Sequence, residues 1–368
     1  MHVALLADPV VPVPPTLYGG IERVMDMLAR GLAERGHEVT LFAHPDSDSA
    51  GQLVPYRGAS VAGPLDVARN ALSIGRLAFR RPDVVHSFGR LALLAPLLPT
   101  GLPKIMSYQR EPTLSQVERA VRLARPGTLA FTGCAEHIAV QTRPFAPSYA
   151  VYNGVPLETY TFRPGVSEDA PLVFLGRLDP EKGAHTAIAV AQQTGRRLVI
   201  AGNVPAKSEG YFEASIRPHL SDRIEYVGPV DDVQKDELLG RALAFLMPIE
   251  WEEPFGIVMA EALACGTPVI GTPLGSVPEV VIDGETGFVR DSVTGLAEAV
   301  EAVETIDRAD CRRDCEARFS DRAIVEAYIE VYRERFDRLP RNEGRPIPTS
   351  LRPNRRDDAG PHSHPRPH

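Results

Sequence analysis

The chain has 368 residues, of which 43% are hydrophobic and 24% charged, a composition typical of soluble globular proteins with room for two domains. The formal net charge is −8, which argues against nucleic acid as the main partner. The sequence has no run of about eighteen apolar residues, so it predicts no membrane-spanning helix. The first residues predict a strand rather than a signal peptide.

Cysteine usage bears on the compartment. The four cysteines, at positions 134, 265, 311 and 315, are scattered or lie in predicted helices. Cys311 and Cys315 could share a helical face, but this spacing without histidine partners is a weak metal signal. Reduced structural thiols in a cytoplasmic protein are the expectation.

The first half of the chain, residues 1–155, alternates strands and helices. An apolar strand at 3–7 is followed by a proline-rich loop and by a helical pattern at 21–35, which Gly36 ends. Further strands are predicted at residues 38–43, 83–87, 104–108, 129–133 and 149–152. This order favours a mostly parallel sheet with helices on both faces.

Two features of this half are candidates for ligand contact. Gly19 and Gly20 precede the first helix, where they would let a phosphate or sugar approach the backbone; a flexible loop is the alternative. They do not form the G-x-G-x-x-G fingerprint, so a nicotinamide dinucleotide is not expected. His86 lies near the carboxyl end of its strand, where polar residues commonly face the ligand, although a lone histidine is more often structural.

A connector at 153–164 leads to a second alternating series at 165–320. Its strands are predicted at 172–175, 197–201, 224–227, 242–247, 268–271 and 286–289, and its helices at 186–193, 235–241, 257–265 and 294–305. Two such units place a cleft between the carboxyl ends of two sheets. Ser320 caps a last helix, 321–337, which we expect to pack on the first domain.

The C-terminal tail, residues 339–368, has a different composition. It has seven prolines, no aromatic residue and a local charge of about +3, which leaves about −11 for the rest of the chain. We predict that it is disordered. Its histidines at 362, 364 and 368 predict at most adventitious metal binding.

Two segments of the second unit carry charges suited to a nucleotide. Arg177 and Lys182 follow its first strand, where two cations can neutralise a diphosphate; a solvated surface loop is the alternative. Glu253 and Glu261 bracket a Pro/Gly turn that opens a helix. That helix start suits an anion, and Glu261 lies at about the distance of a ribose. Spacing alone also fits two surface glutamates.

Together the segments around Gly19, His86, Arg177 and Glu253 resemble the retaining glycosyltransferases of family 4. The resemblance covers residues 1 to about 337 and implies the GT-B architecture, an α/β fold of two Rossmann-like parallel-sheet domains that face across a cleft. The strongest parts are Gly176-Arg177 with Glu181-Lys182-Gly183, the stretch 253–266, and the loops 273–279 and 284–288.

The resemblance also implies roles for residues. Arg177 and Lys182 would hold the diphosphate, Glu261 the ribose, and Glu253 would lie beside the donor sugar. The remaining implied contacts are the backbone of Phe255, Gly256, Ile257 and Val258 with donor sugar or phosphate, and Gly19, Gly20 and His86 at the donor–acceptor junction. We place Tyr18 and Arg110 on the acceptor side.

The segment 107–112 departs from the family. Many relatives have a histidine there, where this chain has Arg110 and Glu111. Arg110 would receive an anionic acceptor, or would form a structural pair with Glu111.

The resemblance predicts transfer of a sugar from a nucleotide-diphosphate sugar to an acceptor hydroxyl with retention, without metal or other cofactor. The acceptor, whether sugar, lipid or small molecule, is not specified. A sugar-nucleotide epimerase and a non-catalytic sugar-nucleotide-binding protein are the alternatives, whereas a phosphorylase would need a pyridoxal-phosphate lysine that nothing suggests.

Membrane contact is a separate hypothesis. Arginines at 69, 76, 80 and 81 flank Leu72, Ile74, Leu77 and Phe79, a pattern of segments that rest on anionic lipid. A solvated helix face is the alternative. The expected location is therefore cytoplasmic, with peripheral contact at the inner face of the membrane as the open question.

Overall fold

The computed structural model describes residues 1–15, 19–57, 63–77 and 81–335, and these residues form two parallel β-sheets of seven and six strands. The predicted α/β class with two parallel-sheet units is confirmed. Tyr18 and the tail at 339–368 lie outside the described residues, so the structure says nothing of them.

The first sheet has the strand order β3-β2-β1-β4-β5-β6-β7, with every pair parallel. Its strands are β1 (His2–Leu6), β2 (Glu38–Ala43), β3 (Gln52–Pro55), β4 (Val84–Ser87), β5 (Lys104–Tyr108), β6 (Leu129–Gly133) and β7 (Ser148–Ala150). Its helices are α1 (Gly20–Glu34), α2 (Pro64–Gly75), α3 (Leu114–Leu123) and α4 (Glu136–Thr142). The sequence did not predict β3, because this short edge strand has no residue buried completely enough to require an apolar run.

The second sheet has the order β10-β9-β8-β11-β12-β13. Its strands are β8 (Leu172–Leu175), β9 (Leu198–Ala201), β10 (Ile224–Gly228), β11 (Ala244–Met247), β12 (Val269–Gly271) and β13 (Gly287–Val289). Helices α5 (Ala184–Thr194), α6 (Asp232–Gly240), α7 (Ile257–Ala264), α8 (Val277–Val280), α9 (Val293–Ala302) and α10 (Arg308–Arg318) surround it, and helical turns occupy 206–219. Strands β9 and β11 are buried along their whole length, and β8 at three of its four residues, which explains why their apolar runs could be recognised in the sequence.

The last helix, α11 (Asp321–Arg335), returns to the first domain and packs along α1. Arg35 Nε donates to Glu326 Oε1 at 2.9 Å between the two helices. The rings of Tyr328 and Tyr332 are fully buried in the core of the first sheet. Residues distant in the sequence therefore complete the first domain.

Candidate functional site

The strand orders locate a crevice in each domain. The order reverses between β1 and β4 in the first sheet and between β8 and β11 in the second. In open parallel sheets, ligands bind outside the carboxyl ends of the strands at such a reversal. The loops after β1, β8 and β11 hold Gly19, Arg177 and Glu253 respectively, so the topology selects the same loops as the sequence.

Two helix N-termini meet between the domains. Helix α1 begins at Gly20 and α7 begins at Ile257, and a Cβ added to Gly20 would lie 3.1 Å from Ile257 Cδ1. Neither end has a side-chain cap. The first N–H groups of a helix have no partner within it and carry a partial positive charge. This pair of ends is suited to hold an anion.

The turn before α7 depends on two glycines. Gly256 has φ 68°, a left-handed conformation that strongly favours glycine. Gly275, with φ 55°, approaches so closely that a Cβ there would lie 2.3 Å from the backbone nitrogen of Glu253. Ser276 also donates to this turn, from its N–H to the Glu253 carbonyl at 3.0 Å. The loop 273–279 therefore fixes the backbone that carries Glu253.

Lys182 and Glu253 form a compact group with Trp251. The Lys182 ammonium donates to Glu253 Oε2 and lies 4.6 Å from the centre of the Trp251 ring. The Trp251 indole N–H donates to the same Glu253 oxygen at 3.1 Å. Glu253 is 8% exposed. One cation and one neutral donor therefore contact its carboxylate in a place from which water is largely excluded.

Arg177 is held by a buried carboxylate. Its Nη2 lies 3.1 Å from Asp179 Oδ2 and 3.5 Å from Glu181 Oε1. Asp179 is buried and accepts from Ser208 at 2.5 Å. Burial raises the pKa of Asp179, but the Ser208 hydrogen bond and the charges of Arg177 and Lys207 outweigh it and hold that pKa below its usual value. Arg177 is thus tethered at one nitrogen while its side chain stays one-third exposed.

Glu261 projects from the buried face of α7. Its Oε1 accepts from Tyr160 Oη at 2.7 Å and from Lys235 Nζ at 2.6 Å. Lys235 also lies 3.3 Å from Asp232, which pairs with Arg23 of α1 at 2.8 Å. These charges connect Glu261 to the first domain.

Arg110 and Glu111 line a cavity of about 310 Å³ with Trp251, Glu252 and Pro254. The first two residues follow β5, and the other three precede α7. The structure therefore brings Arg110, the predicted acceptor-side arginine, next to the Lys182–Glu253–Trp251 group.

The position expected for His86 is corrected. His86 is fully buried, with Nδ1 2.7 Å from Tyr332 Oη and Nε2 2.6 Å from Ser107 Oγ. Burial lowers its pKa to about 3, so the ring is neutral near pH 7. Strand alternation puts His86 on the face of the sheet that α11 covers. The sequence did not show that α11 packs there. In this structure His86 does not line the cleft.

The Phe255 ring likewise faces the core. It is buried against Tyr152 and Phe319, at ring-centre distances of 6.0 and 5.8 Å. The Phe255 ring is therefore not accessible to a ligand in this structure, while Ile257 and Val258 are half-buried at the helix start.

Sequence reasoning missed four residues of this site: Asp179, Trp251, Tyr160 and Lys235. Asp179 had a local signal, since it lies two positions from Arg177. Trp251, the protein's one tryptophan, also lies close to a predicted residue. Tyr160 and Lys235 had no local signal, because they reach Glu261 from 101 and 26 positions away.

Comparisons with known proteins agree with this geometry. The family model for Glycosyltransferase Family 4 matches residues 18–159, and that for Glycosyl transferases group 1 matches 159–319. The alpha-maltose-1-phosphate synthase of Mycolicibacterium smegmatis is 30% identical over 87% of this chain and 97% of that protein. The glycogen synthase of Mycobacterium tuberculosis is 28% identical over 87% of this chain and 92% of its own.

A solved structure is similar as well. The crystal structure of AviGT4, a glycosyltransferase involved in Avilamycin A biosynthesis, is 27% identical and superposes with a TM-score of 0.69. The superposition covers 92% of this chain and 99% of AviGT4. The likeness therefore extends over both domains.

Proposed function

The chain belongs to glycosyltransferase family 4 and is a hexosyltransferase with the GT-B fold, and we propose that it moves a hexosyl unit from a nucleoside diphosphate sugar to an acceptor hydroxyl with retention of configuration. The observation that carries the proposal is the Lys182–Glu253–Trp251 group beside two uncapped helix ends. Cation, carboxylate and anion-binding backbone meet there at one point between the domains.

The cations act on the leaving group. Negative charge grows on the diphosphate as its bond to the sugar breaks, and charge stabilisation by groups already in place is a large catalytic term. Arg177 and Lys182 supply two such groups, and the first N–H groups of α7 add the helix dipole. We propose that these cations replace a metal ion, so transfer measured in excess chelator should proceed at the untreated rate.

Glu253 orients the donor rather than attacking it. A carboxylate nucleophile needs its negative charge at the anomeric carbon, whereas Lys182 and Trp251 both donate to Glu253 Oε2 and draw charge away from that attack. We propose that the acceptor hydroxyl attacks on the face that the diphosphate leaves, and that the departing phosphate oxygen takes its proton. This route retains the configuration without a covalent enzyme intermediate.

The proposed function is tested by mixing the protein with nucleoside diphosphate hexoses and candidate acceptors. Free nucleoside diphosphate should appear at a rate that depends on acceptor, and proton NMR of the first product should show the donor's anomeric configuration. Donor binding without turnover on any acceptor would favour a binding protein, and conversion of the donor without acceptor would favour an epimerase.

Asp179→Asn tests whether the buried carboxylate positions Arg177. We expect kcat/KM for the donor to fall about 10- to 100-fold, because a charge-assisted contact contributes about 1.5–3 kcal/mol and Arg177 would lose its anchor. Steady-state kinetics with the donor varied measures the effect.

Glu181→Gln is the matched control, since it removes a charge beside the same Arg177 nitrogen. Glu181 is 41% exposed, against 2% for Asp179, and exposed ion pairs contribute little. This variant should keep the parent kinetics. Equal losses in the two variants would contradict a positioning role for Asp179.

We also propose that α2 rests on anionic lipid. Its outward face presents Leu65 and Leu72, which are 72% and 73% exposed, with the exposed arginines 69 and 76. Ile74 and Leu77, expected on this face, point into the core, while Phe79 and Arg80 lie outside the described residues. No helix among the described residues is long and apolar enough to span a bilayer.

Leu72→Glu should lower the fraction of protein that floats with vesicles containing anionic lipid. Inserting one leucine contributes about 1.5–3 kcal/mol, so we expect a partition at least about tenfold weaker. Leu123→Glu is the control, because Leu123 is 61% exposed but lies on α3. If both variants float like the parent, α2 is a solvated face.

A further inference from the structure

The cavity between the domains adjoins the proposed donor site. Arg110 and Glu111 border it from the first domain, and Trp251, Glu252 and Pro254 border it from the second. Trp251 also contacts Lys182 and Glu253. A molecule in the cavity would therefore lie beside the group that we propose orients the donor sugar.

The charges of the lining disfavour an anion. One guanidinium stands against the two carboxylates of Glu111 and Glu252. Glu252 is held in place, because its Oε2 accepts the Gly275 N–H at 2.6 Å. A phosphate or carboxylate group would meet one cation and two anions, and the balance is repulsive.

The same lining suits a neutral molecule with several hydroxyl groups. Arg110 can donate to such hydroxyls, and Glu111 and Glu252 can accept from them. The Trp251 indole adds an apolar surface for the C–H groups of a ring. A volume of about 310 Å³ lies at the lower end for ligand sites and suits one ring rather than a long chain.

We infer that this cavity is the acceptor subsite and that it binds one ring of a neutral, hydroxyl-rich acceptor, such as an unphosphorylated sugar. The inference rests on the proposed function, since it names the substrate class for the second half of that reaction. It replaces the expectation that Arg110 receives an anionic acceptor, because the carboxylates of Glu111 and Glu252 line the same cavity.

The parent enzyme gives the first test. With one active donor, kcat/KM is measured for glucose, mannose and maltose and for glucose 1-phosphate and mannose 1-phosphate. We expect the best neutral sugar to exceed the best sugar phosphate at least about tenfold. Preference for a sugar phosphate would overturn the inference.

Variants locate the subsite. Arg110→Gln and Glu111→Gln should each raise the KM for the neutral acceptor about 3- to 10-fold, the effect of one hydrogen bond, with the donor KM unchanged. Glu111→Gln should also narrow the preference against sugar phosphates, because it removes one negative charge. Arg119→Gln on α3, an exposed arginine away from the cavity, should change neither KM.

Trp251→Phe and Trp251→Leu separate stacking from the hydrogen bond to Glu253. Both lose the indole N–H, but only phenylalanine keeps a ring, so the acceptor KM should be higher in the leucine variant. Equal acceptor KM values in these two variants, or unchanged values in the Arg110 and Glu111 variants, would overturn the subsite.

Donor binding distinguishes the two possible failures. Calorimetry with the nucleoside diphosphate should give the parent affinity in the Arg110 and Glu111 variants. Binding of that diphosphate without transfer to any acceptor would sink the proposed function itself. Transfer that prefers phosphorylated acceptors would sink only the inference about the cavity.

Discussion

Replacing Lys182 with methionine should lower kcat at saturating donor by at least about 100-fold, the effect of removing one preorganised donor from a developing negative charge. The loss should appear in kcat and kcat/KM alike, because the charge on the diphosphate is greatest in the transition state. Initial rates of nucleoside diphosphate release measure it. Methionine keeps most of the length of the side chain and removes its charge.

Lys182→Met also leaves Glu253 buried without its cation, which is expected to destabilise the fold. The double variant Lys182→Met/Glu253→Gln removes that unpaired charge. Its thermal midpoint should recover towards the parent value while transfer stays lost. Recovery of both stability and activity would contradict a direct role for Lys182 in the reaction.

Arg177→Ala should lower kcat by the same order as Lys182→Met, since it removes the other proposed contact with the diphosphate. Arg196→Ala is the matched control. Arg196 precedes β9 at the opposite end of the sheet and has a similarly exposed side chain, 29% against 35% for Arg177. If Arg177→Ala transfers sugar as fast as Arg196→Ala, the assignment of Arg177 is wrong.

The sequence was informative where the chain places neighbouring residues in one loop. Arg177 and Lys182 share the loop after β8, and Glu253 and Glu261 flank one helix start, so their proximity followed from local geometry. The strands that are buried on both faces could also be predicted from the sequence, because burial on both faces requires a continuous apolar run. The edge strand β3 is under no such constraint and was missed.

Partners that arrive from distant parts of the chain could not be predicted in this way. His86 is satisfied by Tyr332 of α11, 246 positions away, and strand position alone suggested the cleft. Glu261 and Lys235 lie on different helices whose packing decides the ion pair. A single sequence shows which residues could be functional, but the fold decides which of them reach solvent.

Glu261→Gln is expected to raise the donor KM about 10- to 100-fold with a smaller effect on kcat, because a ribose contact is made equally in the ground and transition states. A hydrogen bond to a charged group contributes about 1.5–3 kcal/mol, which corresponds to that range. Calorimetry should show the same loss for the nucleoside diphosphate, and also for the nucleoside alone. The nucleoside titration isolates the ribose contact, since it lacks the diphosphate that Arg177 and Lys182 would hold.

Tyr160→Phe serves as the control for Glu261, since it removes the 2.7 Å bond to Oε1 and leaves both the carboxylate and Lys235 in place. Burial and the neighbouring Glu261 charge raise the pKa of Tyr160, so its hydroxyl is a constant donor and its loss should weaken the nucleoside only a few-fold. If Glu261→Gln binds the nucleoside as tightly as the parent, then Glu261 is a structural partner of Lys235. In that case the link from Glu261 through Lys235 and Asp232 to Arg23 would be its main role, and the variant's loss would appear in thermal stability rather than in donor affinity.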